Sequence, residues 1–232
     1  MNEYPYNFGR GGVVSSAETR NRVLRNTYWL LALSMVPTVL GAWIGVVTGF
    51  SLFAAASPAI SLIAFFAIAF GFMFAIERTK NSGLGIAVLL GFTFFMGLML
   101  SRLLSFVLGF SNGPSLIMIA FGGTGIIFAA MATIATVSKR DFSGLGKWLF
   151  MGVIILLLAM VANIFLQLPA LMLTISVLAI VIFSAYMLFD VQRVVNGGET
   201  NYISATLAIY LDLYNVFTHL LALLGIFGGN RN

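Results

Sequence analysis

Cysteine is absent from this chain, histidine occurs once, and only seven of its 232 residues are Asp or Glu. The first absence excludes disulfides, thiolate metal sites and cysteine nucleophiles. The second leaves His219 as a lone imidazole with no ligand at helical spacing, which does not make a metal site. The scarcity of acids is the most restrictive. Charged residues make up 8% of the chain and hydrophobic ones 60%, with a mean hydropathy of +1.04. A soluble domain averages about 25% charged residues, so this composition belongs to a polytopic membrane protein. The formal charge of +5 does not point to nucleic acid, because the basic residues lie in the short segments between apolar runs.

A membrane-spanning helix needs about 20 mainly apolar residues. On that criterion helices are expected near 27–50, 57–76, 84–104, 116–137, 148–166, 170–189 and 203–227. The third is interrupted by Arg102 before Leu103 to Phe110 resume, and Gln167-Leu168-Pro169 divide the fifth from the sixth. Proline there cannot continue a helix and favours a tight turn. The expected division is a polar N-terminal segment, 1–25, and a seven-helix transmembrane domain, 26–232. The first apolar run precedes Ala54-Ala55-Ala56. It is longer than the 7 to 15 residues or so of a signal-peptide core, so it reads as an anchor that stays.

Arg10, Arg20, Arg22, Arg25, Arg78, Lys80, Lys139, Arg140, Lys147 and Arg193 fall on one side of this arrangement, and Arg102 and Arg231 on the other. Basic loops stay in the cytoplasm, so the expected topology is N-terminus in and C-terminus out, in the plasma (inner) membrane. Gly41, Gly45 and Gly49 are four apart on the first helix, a small-residue face that admits another helix closely. Packing within the chain is the simpler reading; a homodimer contact is the alternative. Gly122, Gly123 and Gly125 suggest similar packing on the fourth helix.

The last apolar run holds Asp212 at its middle. A carboxylate at that depth costs roughly 2.5 to 3.5 kcal/mol on insertion scales, which makes it a functional candidate. Asp212, Asn215 and His219 fall on one helical face, with Tyr210 and Tyr214 off it. Lipid cannot satisfy such a stripe, so the seventh helix is expected at the centre, surrounded by the other six. The fold class is therefore all-α.

Asp190 lies close to the end of the sixth run, and Asn196-Gly197-Gly198 offers a helix stop after Val195. Asp190 is then about 8 Å inside one helix and Asp212 about 15 Å inside the next, at 1.5 Å per residue. Modest tilt closes that offset. Two like charges about 4 Å apart repel by about 4 kcal/mol at an effective dielectric of 20, so a meeting pair titrates as a unit and shares a proton. With the proton, the pair latches two helices; without it, the pair repels and offers a transient contact to a cation. Arg78 is the candidate counter-charge, and permanent pairing of Asp190 with Arg78 or Arg193 is the structural alternative. Asn163 and Gln167 are read as caps or cross-links, and Glu77 as a solvated loop charge. Gly122-Gly123-Thr124-Gly125 with His219 echoes intramembrane serine proteases, but threonine is a poor substitute for a strained, exposed serine. No enzymatic activity and no cofactor are expected. The spans show no inverted repeat of the transporter kind.

Ala162-Asn163-Ile164-Phe165-Leu166-Gln167-Leu168-Pro169-Ala170, the loop Asn196-Gly197-Gly198-Glu199-Thr200-Asn201-Tyr202-Ile203 and Tyr210-Leu211-Asp212-Leu213-Tyr214-Asn215 resemble the Bax inhibitor-1 family, and most nearly its bacterial YccA-type branch. The resemblance covers all seven spans. It implies six helices around a central seventh and a pH-sensitive calcium leak, with Asp190 and Asp212 as sensor and gate and Arg78 beside them. The branch implies a second role, modulation of the membrane-bound ATP-dependent protease FtsH, for which residues 1–25 would be a point of engagement. Calcium suits carboxylate oxygens, which would also pass other cations.

Overall fold

A computed structural model describes residues 16–50 and 58–230. It is all-helical, with α1 Ser16–Thr48, α2 Pro58–Thr79, α3 Gly83–Leu108, α4 Gly113–Val137, α5 Leu145–Leu166, α6 Pro169–Val195 and α7 Tyr202–Gly228. All seven are long and apolar enough to cross a membrane. The expected spans recur with longer ends. α3 runs through Arg102, which is exposed on its flank. The largest difference is at the N-terminus, where residues 16–25 are not a separate polar segment but the opening turns of α1. Polar side chains with good helix propensity, Glu18, Arg20, Arg22 and Arg25, extend the helix beyond the apolar run by which it was recognised. Residues 1–15 of that segment, and Ala54-Ala55-Ala56, lie outside the described residues.

Apolar surface gives no drive to pair helices in lipid, so close backbone contact and hydrogen bonds hold the bundle. α1 and α3 show this most clearly. A Cβ on Gly41 would lie 2.2 Å from Phe94 O, one on Gly45 2.5 Å from Ser101 Cβ, and one on Gly97 2.1 Å from Thr38 O. Gly41 and Gly97 thus each receive the backbone of the other helix, and Gly45 receives the Ser101 side chain. Gly41 and Gly45 serve packing inside the chain. Gly49 does not extend that face. It sits just past α1 at φ +62, where Phe50 N donates to Gly45 O at 2.8 Å, and so it ends the helix. Of Gly122, Gly123 and Gly125 on α4, Gly123 alone packs tightly, against Leu220 Cδ2, while the other two face open space. Spacing alone cannot tell a packed glycine from one turned to lipid.

α7 is the central helix. α1, α2, α3, α4 and α6 pack directly on it, and α5 lies against α6. The main core joins Phe92, Leu188, Val191, Ile203, Ile209 and Tyr210 at the end rich in Arg and Lys. A second cluster, Val107, Phe110, Leu116, Ala120 and Leu221, fills the opposite end. Large apolar side chains such as Trp29, Phe74, Ile126 and Phe165 are exposed around the perimeter, as a lipid-facing surface requires.

The short connections register these helices. Asn201 caps α7 by accepting from Ile203 N and Ser204 N, while its Nδ2 donates to Lys80 O and Asn81 Oδ1 in the α2–α3 turn. Gln192 Nε2 donates to Arg140 O, and its Oε1 accepts from Phe142 N, pinning the α4–α5 loop to α6. Asn163 accepts from Leu168 N at the α5–α6 turn, where Gln167 takes a left-handed φ of 52. Both residues shape the turn, in line with the capping reading.

Candidate functional site

α6 runs to Val195, and Gly197, at φ +78, closes it with Gly198 N donating to Arg193 O. That stop places Asp190 five residues before the helix end, inside the bundle. α7 begins at Tyr202 under the Asn201 cap, which places Asp212 ten residues along. Despite the unequal depths, the two carboxyls lie within hydrogen-bonding reach of each other. Asp212 is 4% exposed, and its Oδ2 has no donor among the described residues. Two acceptor-only groups cannot hydrogen-bond, so a proton shared between them is what the geometry accommodates.

The surroundings of this pair differ from those expected. Arg78 is exposed, its guanidinium carbon 5.1 Å from the centre of the Phe74 ring, and makes no ion pair with either aspartate among the described residues. Arg193, one turn beyond Asp190, is close enough to attract its charge, but its Nη2 engages Glu199 at 3.5 Å. Glu77 pairs with Lys80. Neither form of the permanent Asp190–arginine bridge is therefore present. Tyr186, four residues before Asp190 on α6, lies near both carboxylates. Tyr186 was missed from the sequence, although its i, i+4 spacing from Asp190 was a signal for it.

The stripe on α7 forms no single cluster. Asp212 meets Asp190; Asn215 Nδ2 donates to Leu211 O of its own helix; His219 Nδ1 lies 3.3 Å from Ser176 Oγ on α6. Ser176 carries no sequence signal, being one of two serines in an apolar helix. Thr124 donates to Ala120 O, so the threonine–histidine pattern is not assembled. The described residues contain no group of three or more His, Cys, Asp or Glu placed to hold a metal.

The two tyrosines turn the other way. The Tyr210 hydroxyl lies 2.9 Å from Thr38 Oγ1 on α1 and 3.4 Å from Thr93 O on α3, and Tyr214 donates to Met96 O at 3.1 Å. α7 is thereby anchored on its α1–α3 side by neutral hydrogen bonds, and it meets α6 through a pair of ionisable groups.

Comparison with known proteins agrees with this architecture. Residues 20–229 match the family described as "Inhibitor of apoptosis-promoting Bax1". The Escherichia coli K12 protein named "Modulator of FtsH protease YccA" is 39% identical over 219 residues, covering 92% of this chain and 96% of its own. Its counterpart in Escherichia coli O6:H1, with the same identity and coverage, is named "Inner membrane protein YccA". A Vibrio cholerae protein named "Uncharacterized membrane protein" is 38% identical over 210 residues, covering 90% of this chain and 92% of that one. With seven apolar helices matched along almost their whole length, the chain is a multi-pass membrane protein of the Bax inhibitor-1 family, similar to YccA.

Proposed function

We propose that this protein is a proton-responsive membrane switch that leaks cations, calcium foremost, and that the Asp190–Asp212 contact is its latch. The observation that supports this reading is a buried carboxyl pair at the contact of the two helices, with no donor to Asp212 Oδ2 among the described residues. With a proton shared, α6 and α7 are tied; with the proton lost, two adjacent charges at an effective dielectric of 20 repel by about 4 kcal/mol. A repulsion of that size is enough to reverse a two-state equilibrium nearly a thousandfold. The α6 side of α7 is where opening would occur, because the Tyr210 and Tyr214 hydrogen bonds hold the other side. Once separated, the carboxylates present hard oxygen ligands of the kind calcium takes. The protein acts without covalent chemistry in this reading. It resides in the inner membrane, with the Arg- and Lys-rich end in the cytoplasm and the C-terminus outside.

The latch is tested by joining its sides. Asp190→Cys with Asp212→Cys introduces the only two thiols in the chain. A short, cleavable thiol cross-linker between them should stop calcium flux in proteoliposomes at every pH, and cleavage should restore it. Flux unchanged by the cross-link would exclude opening at this interface.

A second reading has its own support in the relative named as a modulator of FtsH protease. The switch would then control contact with that protease through the end of the bundle where α1 begins and the α4–α5 loop is clamped by Gln192. Co-purification of the protease from native membranes supports it. Failure to recover the protease, with or without residues 1–25, argues against it.

A further inference from the structure

A latch that responds to protons needs a water route to its carboxyls. We infer that a cleft opening at the Arg- and Lys-rich end of the bundle is a hydrated inlet for protons and small cations, leading to Asp190 from that side of the membrane alone. The inference deepens the switch reading and rests on it for its purpose, whereas the inlet itself is read from the shape and lining of the cleft.

The cleft encloses about 390 Å³ between the end of α2, the end of α6 with its following loop, and the first three turns of α7. Its depth comes from small side chains. Ser204, Ala205 and Ala208 line it on α7, with Leu207 and Leu211 beside them, where larger residues elsewhere on the helix fill the core. Ser204, Ala208 and Asp212 are four residues apart, so the lined face rises one turn at a time towards the carboxyl pair. Asp190 itself forms part of the wall.

Two features indicate water in this space. The Ser204 Oγ is buried and has no hydrogen-bond partner among the described residues, although its residue lines the cleft. A buried hydroxyl without a partner is costly, and rotation of the Ser204 side chain into the adjoining space would give it a water partner. The volume admits several waters at roughly 30 Å³ each. The rim is ionic on its α2 and α6 sides: Glu77 at the end of α2 with Lys80 just past it, and Arg193 from α6 with Glu199 from the loop. Each rim charge has its opposite, and Asp190, which makes no ion pair among the described residues, faces the space with Asp212 and Tyr186 close behind it. An inlet so lined attracts cations without trapping them at the mouth.

The chain contains no cysteine, so single thiols can be placed without background. The probe is a charged, membrane-impermeant methanethiosulfonate, which reacts with the thiolate and therefore only where water reaches. Ser204→Cys and Ala208→Cys should be modified in sealed vesicles from the Arg- and Lys-rich side and not from the other. Ala135→Cys, at the same end of α4 but 2% exposed in the core, should resist under the same conditions. Resistance of both cleft positions from both sides, or reaction from the opposite side, overturns the inlet. A charged adduct on Ala208→Cys should also lower calcium flux at least tenfold. If the unmodified chain passes no calcium at any pH, the switch reading fails, and the labelling pattern still decides the inlet.

Discussion

Gly97 and Gly125 are the same residue in the sequence and opposite in the structure. A Cβ on Gly97 would meet the backbone of Thr38 at 2.1 Å, whereas one on Gly125 meets nothing within 4 Å. Gly97→Ala should therefore cost at least about 1–3 kcal/mol of stability through overpacking. Gly125→Ala should be neutral or gain up to about 1 kcal/mol from helix propensity. Thermal unfolding in detergent separates the two. Tyr214→Phe removes the bond to Met96 O and should cost about 0.5–1.5 kcal/mol. It should leave any pH response of flux intact, because it lies away from the carboxyl face of α7. Asp141 has no part in such a response either. Its exposed carboxyl is held below the usual carboxylate range by Ser143, first through the backbone N–H and then through the hydroxyl. That contribution is present above the unfolded value and lost only as pH falls through the lowered one, in the acid range. Flux of Asp141→Asn should thus follow the wild-type pH profile between pH 6 and 8. The aspartates were legible because charge is rare in apolar runs. Ser176 and Ser204 were not, since a serine in a membrane helix signals nothing until its neighbours are known.

At the scale of elements, hydropathy located every helix, and stop signals placed their ends where glycine or proline was present. Asn196-Gly197-Gly198 ended α6 as expected because a left-handed residue is needed there and glycine supplies it. The start of α1 was missed because its first turns are polar, and apolar runs show the membrane-embedded part of a helix, not its full length. Arg78 shows a further limit. Its place at the end of α2 is clear from the chain, but its direction is not, and it points over Phe74. Asn201 is a testable joint between elements. It caps α7 and also ties that helix to the α2–α3 turn. Asn201→Ala should cost about 1–2 kcal/mol by loss of the cap. The same change should widen the cleft rim and hasten thiol modification at Ala208→Cys, measured as the rate of labelling.

In the proposed switch, the whole molecule works as a helix held firmly on one side and conditionally on the other. The tyrosine face of α7 is bonded to α1 and α3, and the α1–α3 pair is welded by reciprocal glycine contacts. The carboxyl face meets α6, which also bears the Gln192 clamp on the α4–α5 loop. Loss of the shared proton would act at one interface and be felt at the Arg- and Lys-rich end through that clamp. Such coupling would let the proposed leak and the proposed protease contact answer to the same event. Calcium flux into proteoliposomes at pH 6, 7 and 8, for wild type beside Asp190→Asn with Asp212→Asn, tests the claim most directly. The account predicts flux that changes with pH in the wild type and is constant in the double variant. An identical pH dependence in both proteins would contradict it.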